Sequence, residues 1–330
     1  MRRIALAFAL TLATPAWAIP PECIGRDLLA ELPGDERAQL RAAADAVPYP
    51  RGNHWRATRD GQQVTIVGTY HLEDPRHEAT LAAVLPALEQ ATILLVEAGP
   101  EEEAALIAAM GRDPGMILLP EGPTLVDLLE PADWAALSDA LRARQMPPFM
   151  AARFRPWFVS VTLGLPPCAM ASAAERDGLD QKLIDAADGL GLTVAAFEPF
   201  DPAFRIFEDM PMDTQIGMIR STLAIEDQSE DYLFTLAEAY FAQDTRIIWE
   251  LMREISLDLP DATPEQVAAE FAQMEEALMS GRNRDWIPVI EAAAADGKVV
   301  AAFGALHLAG EEGVLNLLAR NGWTLERLPF

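Results

Sequence analysis

Two histidines follow β-forming runs in the same short frame, at opposite ends of the chain. In "VTIVGTYH" the run meets Gly68 and then His71, and in "VVAAFGALH" Gly304 and His307 repeat that spacing. The chain contains 4 histidines, so this frame accounts for half of them. Imidazole nitrogens bind transition metals and exchange protons near neutral pH, which makes both residues candidates for metal ligation or acid–base catalysis.

Two further apolar runs end in a carboxylate. "ATILLVE" ends at Glu97 and "LTVAAFE" ends at Glu198. A single histidine or glutamate at the end of a strand is most often a structural or solvated residue. Two imidazoles and two carboxylates brought together form either a metal site or a general acid–base site. Of the remaining histidines, His77 is expected at the rim of such a site and His54 at the surface.

The runs that carry these residues are typical of strands. "ATILLVEAG", "LTVAAFEPF" and "GKVVAAFGALHL" are continuous apolar runs, as in strands buried on both faces of a parallel sheet. "WRAT" and "QVTIVG" flank Asp60 and Gly61, a pair suited to a type I′ turn, and predict a hairpin. "WTLERL" alternates in the manner of an edge strand.

Helical periodicity occurs between these strands, in "PRHEATLAAVLPALEQA", "GLDQKLIDAADGLG" and "GEEGVLNLLARNG". We therefore predict an α/β fold with a central, mostly parallel sheet of about four to six strands. Helical excursions at about 100–192 and 213–295 are expected to cover the carboxyl ends of the strands. Ligands bind at that edge of a parallel sheet, so the four polar residues should converge there. Gly68 and Gly304 would let the backbone turn sharply or let a ligand approach closely.

The first residues indicate export. "MRR", the apolar run "IALAFALTLATPA" and "AWA" form a secretory signal peptide, residues 1–18, with cleavage expected after Ala18. We expect an N-terminal extension over 19–53, an α/β domain over 54–330, and a periplasmic location. In that oxidising compartment Cys23 and Cys168 are expected to form a disulfide.

The charge of the chain limits its partners. The formal net charge of −26 becomes −28 when the two arginines of the signal peptide are removed (−26 − 2). A field of this sign repels nucleic acid and anionic membranes. No second apolar run approaches the ~20 residues of a membrane span. The expected partner is therefore a peptide or small-molecule substrate, with no nucleic acid and no membrane span.

Several longer motifs carry a resemblance to a known family. "VGTYHLEDPRH", "LLVEAGP", "GLDQKLIDAADGLGLTVAAFE", "MSGRNRDWIPVI" and "VVAAFGALHLAGEEGVLNLLARNGWTLERL" resemble the TraB/PrgY/GumN family. That family is related to the Tiki proteases and more distantly to ChaN-like and erythromycin-esterase-like proteins. The resemblance runs from about Val64 to Leu328. One departure is "FEPFDPAF", where many relatives have glutamate-threonine followed by paired glutamines.

The resemblance implies a set of functional residues. Its two Gly-x-x-His motifs fall on Gly68–His71 and Gly304–His307, and its strand-end acids fall on Glu97 and Glu198. Its late helical Arg-Asn pair falls on Arg282 and Asn283. The Tiki branch implies a metal-dependent peptidase.

Our leading hypothesis is therefore a metal-dependent hydrolase, and among hydrolases we favour a peptidase. His71 and His307 would bind one divalent ion, zinc, manganese or cobalt, with Glu97 or Glu198 as third ligand and the other carboxylate as general base. Arg282 would polarise the scissile carbonyl or hold a substrate carboxylate, and Asn283 would orient the group beside it.

Two alternatives remain open at this point. One is a metal-free, esterase-like hydrolase in which His71 activates water directly, oriented by Glu97. The other is a non-catalytic protein that binds haem or another small molecule in the same pocket, with methionine- and aromatic-rich helices as its lining.

Overall fold

The computed structural model describes residues 23–175, 177–199, 207, 210–258 and 262–330. The signal peptide predicted at residues 1–18 lies outside these residues. So do residues 200–206, which include most of the departure from the family pattern after the third buried strand.

Six strands form one sheet in the described part of the chain: β1 (His54–Arg59), β2 (Gln62–Thr69), β3 (Ile93–Val96), β4 (Thr193–Ala196), β5 (Val299–Gly304) and β6 (Thr324–Arg327). Their order across the sheet is β4-β3-β5-β2-β1-β6. Strands β4, β3, β5 and β2 are parallel, whereas β1 pairs antiparallel with both β2 and β6. The prediction of a mostly parallel α/β sheet with β6 at an edge is confirmed.

The hairpin between β1 and β2 turns at the predicted dipeptide. Asp60 has φ 49° and Gly61 has φ 83°. A type I′ turn needs positive φ at both central residues, which aspartate and glycine adopt more easily than most residues. The turn fixes the register of β2 and thereby the place where that strand ends.

Helices account for most of the remaining described chain. The first eight are α1 (Leu28–Glu31), α2 (Gly34–Asp45), α3 (His77–Leu88), α4 (Pro100–Arg112), α5 (Leu125–Leu128), α6 (Pro131–Ala143), α7 (Pro148–Ala151) and α8 (Pro156–Leu163). The next eight are α9 (Met170–Glu175), α10 (Leu179–Gly189), α11 (Met212–Ala224), α12 (Ser229–Phe241), α13 (Arg246–Leu257), α14 (Pro264–Glu275), α15 (Gly281–Asp296) and α16 (Val314–Arg320). The predicted helical excursions correspond to α4 to α10 and α11 to α15. None of the described helices is long and apolar enough to cross a membrane.

The central strands are apolar because they lie inside the core. Every residue of Val299–Phe303 is at most 2% exposed, and Leu94–Val96 are equally buried. Helices α3 and α10 contact each other, as do α15 and α16, and both pairs share one hydrophobic core with the sheet. Continuous apolar runs are what burial on both faces of a strand requires.

The N-terminal segment is attached to the rest of the protein by a disulfide and by the packing of its helices. Cys23 and Cys168 form a disulfide, with their Cα atoms 5.3 Å apart, so the expected pairing is confirmed. Helix α2 packs on α13 through Leu40 and Ala44. The bridge links residues 145 positions apart, and a loop of that length makes the unfolded chain lose much conformational entropy.

Two histidines lie elsewhere than expected. His54, predicted at the surface, is 4% exposed because its ring stacks on Phe330 and its Nδ1 bonds to the carbonyl of Pro329. His77, predicted at the rim of the site, is fully buried in α3 and its Nε2 bonds to the carbonyl of Leu72. Both side chains serve packing, because their neighbours are aromatic rings and backbone carbonyls.

Candidate active site

The candidate site lies at the carboxyl ends of the four parallel strands. Glu198, Glu97, His307 and His71 follow β4, β3, β5 and β2, which are successive neighbours in the sheet. Residues from distant parts of the chain meet there because parallel strands end on the same edge. The structure thus brings together the four side chains that the sequence singled out.

His71 is held by the beginning of α10. The N–H of Leu179 donates to the carbonyl of Tyr70 over 3.0 Å. Gly178 packs so closely on the His71 backbone that an added Cβ would lie 2.4 Å from the His71 carbonyl. The Nδ1 of His71 lies 3.1 Å from Asp180 Oδ1, and the imidazole side chain remains 59% exposed.

Asp180 is a site residue that the sequence analysis missed. It occupies the first turn of α10, in the motif "GLDQKL". Because α10 leads into β4, the N-terminus of α10 must lie at the same edge of the sheet as the strand ends. The place of Asp180 at that N-terminus was the one feature of the sequence that could have identified it as a site residue. Acidic residues are common in the first turn of a helix because they interact favourably with the helix dipole. Asp180 therefore does not stand out until the fold is known.

The environment of His71 favours its protonated form. Desolvation by the surrounding protein opposes protonation, but the hydrogen bond and charge of Asp180 and the charge of Glu97 outweigh it and raise the pKa of His71 to about 9. These partners favour the imidazolium over the neutral ring at neutral pH.

His307 has a different environment and a fixed tautomer. It ends the short 3₁₀ turn Ala305–His307 and is 6% exposed. Its Nδ1 lies 2.6 Å from Asn283 Oδ1, while the Asn283 amide nitrogen donates to the carbonyls of Glu312 and of His307 itself. The asparagine oxygen must then accept, so Nδ1 carries the proton. The Nε2 of His307 keeps its lone pair.

The Trp286 indole, on α15, packs against both His307 and Arg282. Its ring centroid lies 4.5 Å from that of His307, and the guanidinium carbon of Arg282 lies 4.9 Å above its ring. Trp286 also stacks on Phe197, and it is fully buried. A π-helical turn, Glu276–Ser280, precedes α15, and such turns often occur at functional sites.

Arg282 joins the two strand-end carboxylates. Its Nη2 donates to Glu97 Oε1 over 2.7 Å, and its Nε donates to Glu198 Oε1 over 2.6 Å. The other Glu97 oxygen accepts from the N–H of Gly304 over 3.2 Å. The guanidinium that the sequence analysis assigned to the substrate thus already has two protein partners.

The two glycines of the repeated frame lie in different surroundings. A Cβ added at Gly68 would lie 2.6 Å from Leu308 Cδ1, so Gly68 permits close packing of β2 against the chain after β5. A Cβ added at Gly304 would lie 3.5 Å from His71 Nε2, 3.6 Å from Glu97 Oε2 and 3.7 Å from His307 Cδ2. The space left by the absent Gly304 side chain is therefore bordered by both imidazoles and one carboxylate.

These surroundings bear on metal binding. In the described part of the chain, no group of three or more histidine, cysteine or acidic side chains already converges as a metal-binding cluster. His307 Nε2 lies 4.0 Å from Glu97 Oε1, whose hydrogen bond is to Arg282. The donor chemistry nevertheless fits a divalent ion, since one imidazole nitrogen of His71, one carboxylate oxygen of Glu97 and the ring of His307 border the space at Gly304.

The buried groups of the site make a prediction for stability in acid. Burial, opposed by the charge of Glu97, lowers the pKa of His307 from 6.5 to about 4. The unfolded chain then binds a proton that the folded chain does not, so this contribution is present above pH 6.5 and is lost between pH 6.5 and 4. We expect metal-free protein to lose roughly 3 kcal/mol of unfolding free energy over that range through His307, measured by urea denaturation at several pH values.

Other groups set the limits of that profile. Burial opposes ionisation of Glu97, but the charges of His307, Arg282 and His71 lower its pKa from 4.5 to about 2, so its contribution is lost only below pH 4.5. His54 and His77, whose pKa values burial lowers, act in the same direction as His307. The His307→Gln variant isolates the contribution of His307. Equal slopes for this variant and the wild type between pH 6.5 and 4 would contradict the prediction.

The sheet, its helical cover and the histidine–carboxylate site at the strand ends define a class of α/β protein with a candidate active site at the carboxyl edge of the sheet. The model of the TraB/PrgY/gumN family matches residues 53–327. The chain therefore belongs to the TraB/PrgY/gumN family, as the sequence motifs indicated. A comparison with curated proteins finds no significant match.

Proposed function

We propose that this protein is a metal-dependent hydrolase that cleaves peptide bonds. The observation that carries the proposal is the space at Gly304, bordered by His71 Nε2, Glu97 Oε2 and the His307 ring. Each histidine has its Nδ1 engaged, by Asp180 or by Asn283. A hydrogen bond at one ring nitrogen sets the other as the metal ligand.

The residues of the chain would divide the work as follows. His71, His307 and Glu97 would hold one divalent ion, zinc, manganese or cobalt, whose contribution is to lower the pKa of a water molecule to about 7. Glu198 would accept the proton from that water. Arg282, held between both carboxylates, would supply positive charge near the oxygen on which negative charge develops.

Peptide substrates and a periplasmic location are supported by separate observations. The imidazole of His71 is 59% exposed, so a peptide would have access to the site from solvent. The Cys23–Cys168 disulfide supports an oxidising compartment. The relation of the family to the Tiki proteases, carried by the Gly-x-x-His motifs, supports a peptide over another hydrolysable substrate.

A second candidate is a metal-free hydrolase, which the different environments of the two histidines favour. The pKa of His71 is raised to about 9 and that of His307 is lowered to about 4. Opposite shifts in a pair of titratable groups are typical of an acid and a base. In this version neutral His307 would take the proton from water and protonated His71 would deliver one to the leaving group. His71 would then be the acid, and not the base that activates water, as the sequence alone suggested.

Metal content and turnover distinguish the two candidates. Purified protein, incubated with zinc, manganese or cobalt and then desalted, is expected to hold about one ion per chain by elemental analysis. It should hydrolyse members of a peptide library in proportion to its metal content. The His71→Ala, His307→Ala double variant should hold none. Full turnover by metal-free protein would contradict the metal-dependent mechanism and support the metal-free one.

A glycine variant makes this test more specific. Gly304→Ala places a methyl group in the proposed ion space at ordinary contact distances of 3.5 to 3.7 Å, so we expect the fold to survive and metal content to fall. Gly217→Ala is the matched control, because a Cβ there meets nothing within 4 Å. Unchanged metal content in Gly304→Ala would place the ion elsewhere.

A further inference from the structure

A cavity of about 160 Å³ opens beside His71 and Glu97. Its walls come from the ends of the three central parallel strands and from the first turn of α10. The lining residues are Thr69, His71, Val96, Glu97, Ala98, Asp180, Ala302 and Phe303. The cavity is therefore continuous with the candidate active site.

The size of the cavity limits what it can hold. One water molecule takes about 30 Å³ of liquid volume, so a single catalytic water would leave most of the space empty. Pockets for whole small molecules measure about 300–1,000 Å³, so a haem or a complete ligand of that class would not fit. A cavity of this size suits one side chain of a larger substrate, whose remainder would lie in the open region around the exposed edge of His71.

Thr69 gives the cavity a polar feature that the reaction scheme does not use. It is the last residue of β2, opposite Gly304 in the register of the sheet, and it is 3% exposed. Its hydroxyl is buried and makes no hydrogen bond with any described residue. Buried hydroxyl groups are nearly always paired. A ligand in the cavity would supply the partner that the described protein leaves missing once the Thr69 side chain rotates about χ1, because the hydroxyl has almost no accessible surface in its present position.

The charged groups on the walls already have partners. Asp180 bonds to His71, and Glu97 bonds to Arg282 and to the N–H of Gly304. A substrate carboxylate in the cavity would lie beside two protein carboxylates, which disfavours it. The rest of the lining, Val96, Ala98, Ala302 and Phe303, is apolar. Both carboxylates are also already engaged, so the cavity offers no unpaired carboxylate to a cationic group. The cavity therefore suits a neutral group.

We propose that this cavity is a specificity subsite for a small, neutral side chain that carries a hydroxyl or a carboxamide, and that Thr69 recognises it by a hydrogen bond. The inference rests on the proposed function, because it places that side chain next to the bond that is cleaved. A side chain without a polar atom would leave the Thr69 hydroxyl unpaired, and sites built around a hydrogen bond discriminate against such analogues.

The test compares Thr69→Val, which has a similar shape without the hydroxyl, with Thr69→Ser, which keeps it. Matched peptides would carry serine or alanine on either side of the cleaved bond. The wild type and Thr69→Ser are expected to prefer the serine peptide about tenfold in kcat/KM, the equivalent of one hydrogen bond. In Thr69→Val the ratio should fall to about one. An unchanged ratio in Thr69→Val would overturn the proposal.

Two further readouts separate a failure of the subsite from a failure of the proposed function. Thr69→Val should raise the Tm of the ligand-free protein, because it removes an unpaired buried hydroxyl; a raised Tm with an unchanged serine-to-alanine ratio would assign Thr69 to packing alone. If the wild type cleaves no peptide, the proposed function fails. The subsite is then tested by NMR titration with N-acetylserinamide and N-acetylalaninamide. Tighter binding of the serine compound that Thr69→Val abolishes would support the subsite, and equal binding would overturn it.

Discussion

Replacing Arg282 by methionine is expected to lower the free energy of unfolding by about 3 kcal/mol or more and to eliminate turnover. The guanidinium is 13% exposed and pairs with Glu97 and Glu198, whose side chains are 24% and 13% exposed. Methionine has a similar length but no charge, so two largely buried carboxylates would face each other without the cation that joins them. Leaving buried charges unpaired costs far more than the pairs contribute net.

Urea denaturation at pH 7 and peptide turnover would measure this effect. Arg320→Met is the matched control, because Arg320 also pairs with two acids, Glu311 and Glu312, but is 49% exposed. Ion pairs of that kind contribute about 1 kcal/mol at most. Adding Glu198→Gln to Arg282→Met should recover part of the lost stability. Equal losses in Arg282→Met and Arg320→Met would show that Arg282 does not neutralise the site.

The second large effect is expected for Asp180→Asn, which should lower kcat/KM by about 10- to 100-fold. Asp180 Oδ1 lies 3.1 Å from His71 Nδ1, so the carboxylate fixes the orientation and tautomer of the ring. Asparagine keeps the size of the side chain but removes the charge. The pKa of His71, raised to about 9 chiefly by this partner against the effect of burial, should then fall.

Kinetics and NMR titration of His71 would follow the change together. Asp185→Asn is the control on the same helix, because Asp185 is exposed and bonds only to Gln181 among the described residues. Asp180→Asn should lower the pKa of His71 and leave stability near that of the control. If it lowers activity while the His71 pKa stays near 9, Asp180 acts by some route other than His71.

Much of the fold could be predicted because local signals agree with the tertiary structure. The apolar runs around Leu94 and Val300 are continuous because those strands are buried on both faces, and Asp60-Gly61 marks the turn it forms. The positions of the two histidines outside the site, His54 and His77, were harder to predict. His54 was predicted at the surface because histidine is polar, yet Phe330, 276 positions further along the chain, covers its ring.

In the candidate site, too, some residues could be predicted from the sequence and others could not. His71, Glu97, Glu198 and His307 could be found because each follows a recognisable strand and parallel strands end on one edge. Asp180 could not, because its role depends on how α10 meets the Tyr70–His71 backbone. The partners of Arg282 were also out of reach, since a side chain on a helix can be placed near strand ends from sequence but its hydrogen bonds depend on packing.

The position of β5 in the sheet has a consequence for how the chain is made. This strand, Val299–Gly304, pairs with both β2 and β3, and it belongs to the last tenth of the 330 residues. A growing chain, which emerges from its N-terminus, therefore has two apolar strands with no neighbour between them until synthesis is almost complete. Unpaired strand edges promote aggregation. Termination between β3 and β5 would leave both strand edges unpaired, which favours aggregation of the fragment, and His307 would be the last of the site residues to arrive.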